Sequence, residues 1–182
     1  LPIPNDSPPA SPSPAANLQL GEELGAGGMA RVYRALESSL QRHVAVKVLK
    51  SSSDRAVRLF LSEAQISGRL EHPHIVPVHS YTVDPRGRHQ LTMKLIEGRS
   101  WSDLIEDADA GLTLRDHLRI LFTVCNAVAF AHDRGLIHRD IKPANVMVGA
   151  HGQIYLVDWG LAVALSDEFV RDTAILSVSC VD

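Results

Sequence analysis

The sequence predicts an α+β domain. Strand-like runs rich in Val, Ile and Tyr dominate the first half, one helical stripe interrupts them, and a long helix followed by short strands fills the second half. The 182 residues are 45% hydrophobic and 21% charged, an ordinary globular composition long enough to bury a core without staples. Two cysteines, Cys125 and Cys180, are too few for a disulfide framework. A net charge of −3 with no Lys/Arg block speaks against nucleic acid as a partner. The most apolar stretch, Ile120 to Ala131, is too short to span a bilayer, and no basic segment leads into an apolar run at the start, so no signal peptide is read.

Six of the ten prolines fall within Leu1 to Pro14, mixed with Ser, Ala and Asn. Such a stretch buries too little apolar surface to offset its ordering entropy, so residues 1–16 are expected to be a disordered linker. Order is expected from Asn17. Leu18 and Leu20 alternate with polar residues, Arg31 to Leu36 carries Val32 and Tyr33, and His43 to Leu49 is rich in valine. Gly25-Ala26-Gly27-Gly28 separates the first two runs and predicts a hairpin whose tip lets a ligand approach the backbone.

Ser51 to Asp54 supplies N-cap candidates for a helix reaching about Leu70. Leu59, Glu63, Ile66 and Leu70 share one stripe of that helix. Glu63 therefore lies among apolar neighbours and needs a cationic partner, because an unpaired buried charge is very costly. Strand-like runs follow at Ile75 to Tyr81 and His89 to Ile96, around a turn at Asp84-Pro85-Arg86-Gly87. Thr113-x-x-Asp116 resembles a capping box and opens the long helix, with Gly135 as its C′ residue. Leu118, Leu121, Phe122, Cys125, Val128 and Ala129 mark an apolar face, and Cys125 is expected to pack in the helix core. A loop from Leu136 to Asn145 leads to strands at Val146 to Val148 and Ile154 to Val157, joined by a Gly149/Gly152 turn.

In order along the chain come the glycine turn, Lys47 in Val44-Ala45-Val46-Lys47, and Glu63 on its helix. His138-Arg139-Asp140-Ile141-Lys142-Pro143-Ala144-Asn145 follows, and then Asp158-Trp159-Gly160. No G-x-x-x-x-G-K-[ST] occurs, which excludes a Walker-type site. From about Leu20 to Gly160 this series resembles the protein kinase family, in particular bacterial serine/threonine kinases of the eukaryotic-like type.

The resemblance implies a kinase-like fold. Residues 17–97 would form a five-stranded antiparallel lobe with one helix, and residues 98–182 the start of a mainly helical second lobe. It also implies ATP and Mg²⁺ as cofactors. Gly25, Ala26, Gly27, Gly28 and Val32 would cover the nucleotide, with Ala45, Met93 and Ile96 around the adenine. Lys47 would contact the α- and β-phosphates while paired with Glu63. Asp140 would be the catalytic base, Lys142 would steady the transferring phosphoryl group, and Asn145 and Asp158 would hold the metal. Implied partners are protein substrates with Ser/Thr acceptors, in the cytoplasm, with homodimerisation for autophosphorylation also allowed.

Three features depart from the family pattern or extend past it. Ala30 stands at the third glycine position, and Trp159 replaces the usual Phe, from which a repacked pocket beneath Glu63 is expected. Arg139 before the catalytic Asp suggests control by activation-loop phosphorylation, with Thr173, Ser177 and Ser179 as candidate acceptors. His72, His74 and His79 fit no standard zinc spacing and match a structural segment of the family. Little of the family's second lobe follows Gly160, so the chain is expected to be an excerpt or a truncated product, weakly stable and poorly active alone, with the apolar face of the Thr113–Arg134 helix left as an exposed patch. The alternatives are a truncated nucleotide- or partner-binding module without catalysis, and a small-molecule kinase of related fold.

Overall fold

The computed structural model describes residues 18–165 and 174–175. The proposed linker over residues 1–16 and the acceptor candidates Thr173, Ser177 and Ser179 lie outside the described residues. Five strands make one antiparallel sheet: β1 (Leu18–Ala26), β2 (Ala30–Glu37), β3 (Arg42–Leu49), β4 (Val78–Val83) and β5 (His89–Lys94), in the order β1-β2-β3-β5-β4. The central strand β3 explains the valine-rich run. Val44, Val46 and Val48 pack with Ala35 on one face, and Leu49 joins Phe60, Ala64 and Leu91 on the other. The two-residue period puts Lys47 on the same face as Leu49, toward the helix.

That helix, α1 (Asp54–Arg69), starts where the Ser53 hydroxyl accepts the Ala56 N–H. Its predicted stripe is real: Glu63, Ile66 and Leu70 are buried. The fourth strand begins at Val78, three residues later than the sequence predicts. Pro77 has no N–H to give a ladder, and its carbonyl accepts the Lys94 N–H. Ile75 and Val76 are instead core residues, and Ile75 bridges in parallel to Leu156.

The second half carries β6 (Gly98–Ser100), α2 (Trp101–Glu106), α3 (Leu114–Asp133), β7 (Leu136–Ile137), β8 (Val146–Gly149), β9 (Ile154–Leu156) and β10 (Val163–Ala164). Strands β6, β8 and β9 form one small sheet, and β7 pairs with β10. The Thr113–Asp116 capping box is formed in both directions, and Gly135 takes a left-handed φ of 69° past the helix end. One core joins the halves: Ile66, Leu70 and Ile75 pack with Ile120, Val124, Leu136, Leu156 and Trp159.

The apolar face of α3 marked from the sequence is the uncovered one, as expected, and only the placing of Cys125 needs correction. The residues it buries are Ile120, Thr123, Val124, Ala127 and Ala131. Leu118 is 56% exposed, Phe122 69% exposed, and Leu121, Cys125 and Ala129 are exposed too. Cys125 is therefore not a core residue. The helix is apolar on two stripes, and periodicity finds a stripe without saying which one meets β7 and β9.

Candidate active site

Between the five-stranded sheet and the second half lies a cavity of about 410 Å³. Of the residues selected from sequence, Gly27, Gly28, Val32, Lys47, Glu63, Met93, Asp140, Asn145 and Asp158 line it. Four others do not. Gly25 and Ala26 pair with Val32 and Arg31 along the hairpin, Ala45 is paired to Met93, and Ile96 packs on the Gly149 backbone. Lys142 acts on the cavity through Asp140, as described below. Val76 and Leu91 are apolar lining residues that the sequence did not select, though both sit in strand-like runs. A separate cavity of about 440 Å³, between Glu97–Arg99, α3 and the Gly149–Gly152 turn, contains none of the selected residues.

Lys47 is the meeting point of three elements. Its Nζ donates to Glu63 Oε1 of α1 at 2.5 Å and to Asp158 Oδ1 at 3.2 Å. The partner demanded by the buried Glu63 is thus Lys47. Burial alone would pull the Lys47 ammonium down, but the Glu63 and Asp158 carboxylates outweigh it and hold the group above the usual lysine range. Gly160 makes the close approach feasible. A Cβ there would sit 3.3 Å from both Asp158 Oδ1 and Glu63 Oε2. Asp158 itself is held at φ 63°, a left-handed conformation rare for a residue with a side chain.

Asp140 is surrounded by donors. Lys142 Nζ reaches its two carboxylate oxygens at 3.1 and 2.8 Å, and Asn145 Nδ2 donates to its Oδ2 and its backbone carbonyl, both at 2.8 Å. The bonded Lys142 ammonium, with Asn145 adding to it against slight desolvation, holds the Asp140 carboxyl below the usual carboxylate range. The carboxylate is therefore ionised and aimed at the cavity.

The loop carrying Asp140 is fastened from behind by His138, which is 1% exposed. His138 Nδ1 accepts the Asp140 N–H at 3.2 Å, so the ring proton sits on Nε2, which donates to the Val157 carbonyl at 3.2 Å. Burial lowers the His138 pKa, keeping the ring in the neutral form that these two bonds require. Arg139, at φ 65°, donates through Nε to the Leu161 carbonyl at 2.8 Å. Trp159 is buried in the shared core beneath α1 with Ile66 and Leu70.

His72, His74 and His79 are separate from this chemistry. His72 Nδ1 accepts the His74 N–H, the His74 ring bonds the Ile154 carbonyl at 3.1 Å, and His79 is exposed. After β5, the Glu97-Gly98 segment is clamped: a Cβ on Gly98 would lie 2.1 Å from the Val148 carbonyl oxygen.

Asn145 and Asp158 present hard oxygens to a cavity that no Cys or His lines among the described residues, which suits Mg²⁺. Both Asn145 Nδ2 bonds go to Asp140, leaving its Oδ1 for a cation, and Asp158 is exposed to the cavity. Two protein ligands suffice for an ion whose shell is completed by phosphates and water.

A glycine hairpin over a cleft, a strand lysine paired with a helix glutamate, and an Asp-x-Lys-x-x-Asn loop define the class of two-lobed phosphoryl-transfer domains. The chain belongs to the protein kinase domain family, whose model matches residues 18–178. It is 37% identical over 155 residues to the serine/threonine-protein kinase PknB of Mycolicibacterium smegmatis, covering 82% of this chain and 25% of that protein. PknB of Mycobacterium tuberculosis is 36% identical over 155 residues, with the same coverage of both chains. Serine/threonine-protein kinase PknD of Protochlamydia amoebophila is 33% identical over 159 residues, covering 79% of this chain and 16% of that protein. The chain thus spans a quarter or less of the length of these relatives. Use of ATP and Mg²⁺ is general in this family. Among the described residues no helix is long and apolar enough to cross a membrane.

Proposed function

We propose that this chain supplies the nucleotide lobe and catalytic loop of a serine/threonine protein kinase that transfers the γ-phosphoryl group of ATP to protein hydroxyls. Residues 17–97 are the nucleotide lobe and residues 98–182 begin the second lobe. The carrying observation is the contact of Lys47 Nζ with both Glu63 and Asp158, opposite an ionised Asp140. Paired this way, Lys47 has its charge fixed at the cavity wall, where a phosphate is neutralised without reorganisation. Asp140 is placed to align the acceptor hydroxyl and take its proton, and Lys142 to steady the transferring group. Asn145 and Asp158 would hold Mg²⁺, which supplies charge neutralisation of the phosphates when bound. The Gly27-Gly28 backbone covers the phosphate end, and Met93 marks the adenine end. A cytoplasmic setting and pairing of two copies for autophosphorylation are part of this reading.

The test is phosphoryl transfer from γ-labelled ATP to a Ser/Thr protein substrate by the intact protein, beside the Asp140→Asn variant. Transfer that Asp140→Asn abolishes supports the reading. Nucleotide binding without transfer, equal in both proteins, supports a binding module instead, and transfer to hydroxylated metabolites but not to protein supports a small-molecule kinase.

A further inference from the structure

The tip of the glycine hairpin is held closed by a residue outside the motif. Lys50, just past the end of β3, donates from Nζ to the Gly27 carbonyl at 2.6 Å, and its own backbone N–H donates to the Met29 carbonyl at 2.9 Å. Gly27 N–H is already engaged, donating to the Ala30 carbonyl at 2.9 Å. Among the described residues, the Gly28 and Met29 N–H groups meet no acceptor.

The planar trans peptide points a carbonyl and the following N–H in opposite directions. Drawing the Gly27 carbonyl toward Lys50 therefore turns the Gly28 N–H away from Lys50. Gly28 and Met29 line the cavity and Lys50 does not. We propose that Lys50 is a positioning residue for phosphate binding, latching the Gly27 carbonyl outward so that the Gly28 amide is preset as an anion donor. The proposal rests on the nucleotide-site reading above. Ala30 gives the latch a reason. It is 4% exposed and paired with Leu49, so the loop is anchored one residue after Met29 and little chain remains to adjust around a phosphate.

The experiment compares ATP and adenosine binding to the intact protein by calorimetry, with steady-state kinetics alongside, for wild type, Lys50→Ala and Lys50→Arg. A charge-assisted bond at an exposed site predicts about three- to tenfold weaker ATP binding in Lys50→Ala. Adenosine affinity and kcat should hold within about twofold, the change appearing in KM for ATP, and Lys50→Arg should recover most of it. Unchanged ATP affinity in Lys50→Ala would sink the latch while leaving the nucleotide site standing. A parallel loss of adenosine affinity would also overturn it, showing a general loosening of the lobe. If wild type binds adenosine but gains nothing from the phosphates, the latch and the phosphate site both fail.

Discussion

Trp159 stacks against His138, with ring centroids 4.5 Å apart and planes tilted by 55°. The contact ties the metal-side loop to the catalytic loop through the core, since His138 also bonds the Asp140 N–H and the Val157 carbonyl. Both bonds need the neutral imidazole. A proton on Nδ1 would face the Asp140 N–H, donor against donor.

That arrangement makes stability depend on pH. Burial holds the folded-state pKa of His138 below the ordinary value of 6.5, so the unfolded chain takes up its proton first. Below that value the unfolded state binds more protons, and stability falls as pH falls. The contribution is complete above pH 6.5 and drains away through the acidic side. Urea midpoints taken from pH 7.5 down to 5 should drop more steeply in wild type than in His138→Gln, which cannot titrate. Equal slopes would assign the pH dependence to the other histidines.

Lys47 and Glu63 separate stability from catalysis. Lys47→Met leaves Glu63 buried without its cation and should cost about 3 kcal/mol, as broken buried pairs do. Replacing both, as Lys47→Met with Glu63→Leu, should recover most of that stability, because two apolar side chains leave no charge stranded. Neither variant should transfer phosphate. Denaturant melts and transfer assays on the three proteins check this, and a double variant no more stable than Lys47→Met would count against the pair as the cause.

Lys142 sets the acidic limit of the reaction. The Lys142 ammonium is the largest influence holding the Asp140 carboxyl below the usual range, and Asn145 adds to it. Lys142→Ala should therefore shift the acidic limb of kcat/KM upward, toward the ordinary carboxylate value, besides lowering the rate about 10²-fold or more. A pH–rate profile with an unmoved acidic limb would mean that a different group titrates there.

The sequence made some of these relationships legible and hid others, for physical reasons. Glu63's need for a cation was legible because a carboxylate on an apolar helix stripe has few ways to be satisfied, and the kinase resemblance named Lys47 as that cation. The Thr113 capping box followed from local chemistry, whereas the five-stranded antiparallel lobe came with the kinase resemblance and its order β1-β2-β3-β5-β4 was not read from the sequence. The latch from Lys50 to Gly27 was not legible, because a lysine after a strand usually faces solvent and only the register of β2 on β3 brings it to the tip. Nor was the tautomer of His138, which depends on a carbonyl 19 residues away. The inner stripe of α3 and the exposure of Cys125 were hidden for the same reason: which apolar side is inside depends on β7 and β9, which come later in the chain.

The two stripes of α3 give the last prediction. Ile120 is 4% exposed and packs with Val124, Leu136 and Leu156, whereas Leu118 is 56% and Phe122 69% exposed. Truncating Ile120 to Ala removes buried methylenes and leaves a cavity, which should cost about 2–4 kcal/mol. Leu118→Ala and Phe122→Ala remove side chains already in water, so each should stay within about 0.5 kcal/mol in the 182-residue chain. Urea denaturation of the three variants decides it. A loss from Phe122→Ala as large as that from Ile120→Ala would mean that the outer stripe is covered in solution.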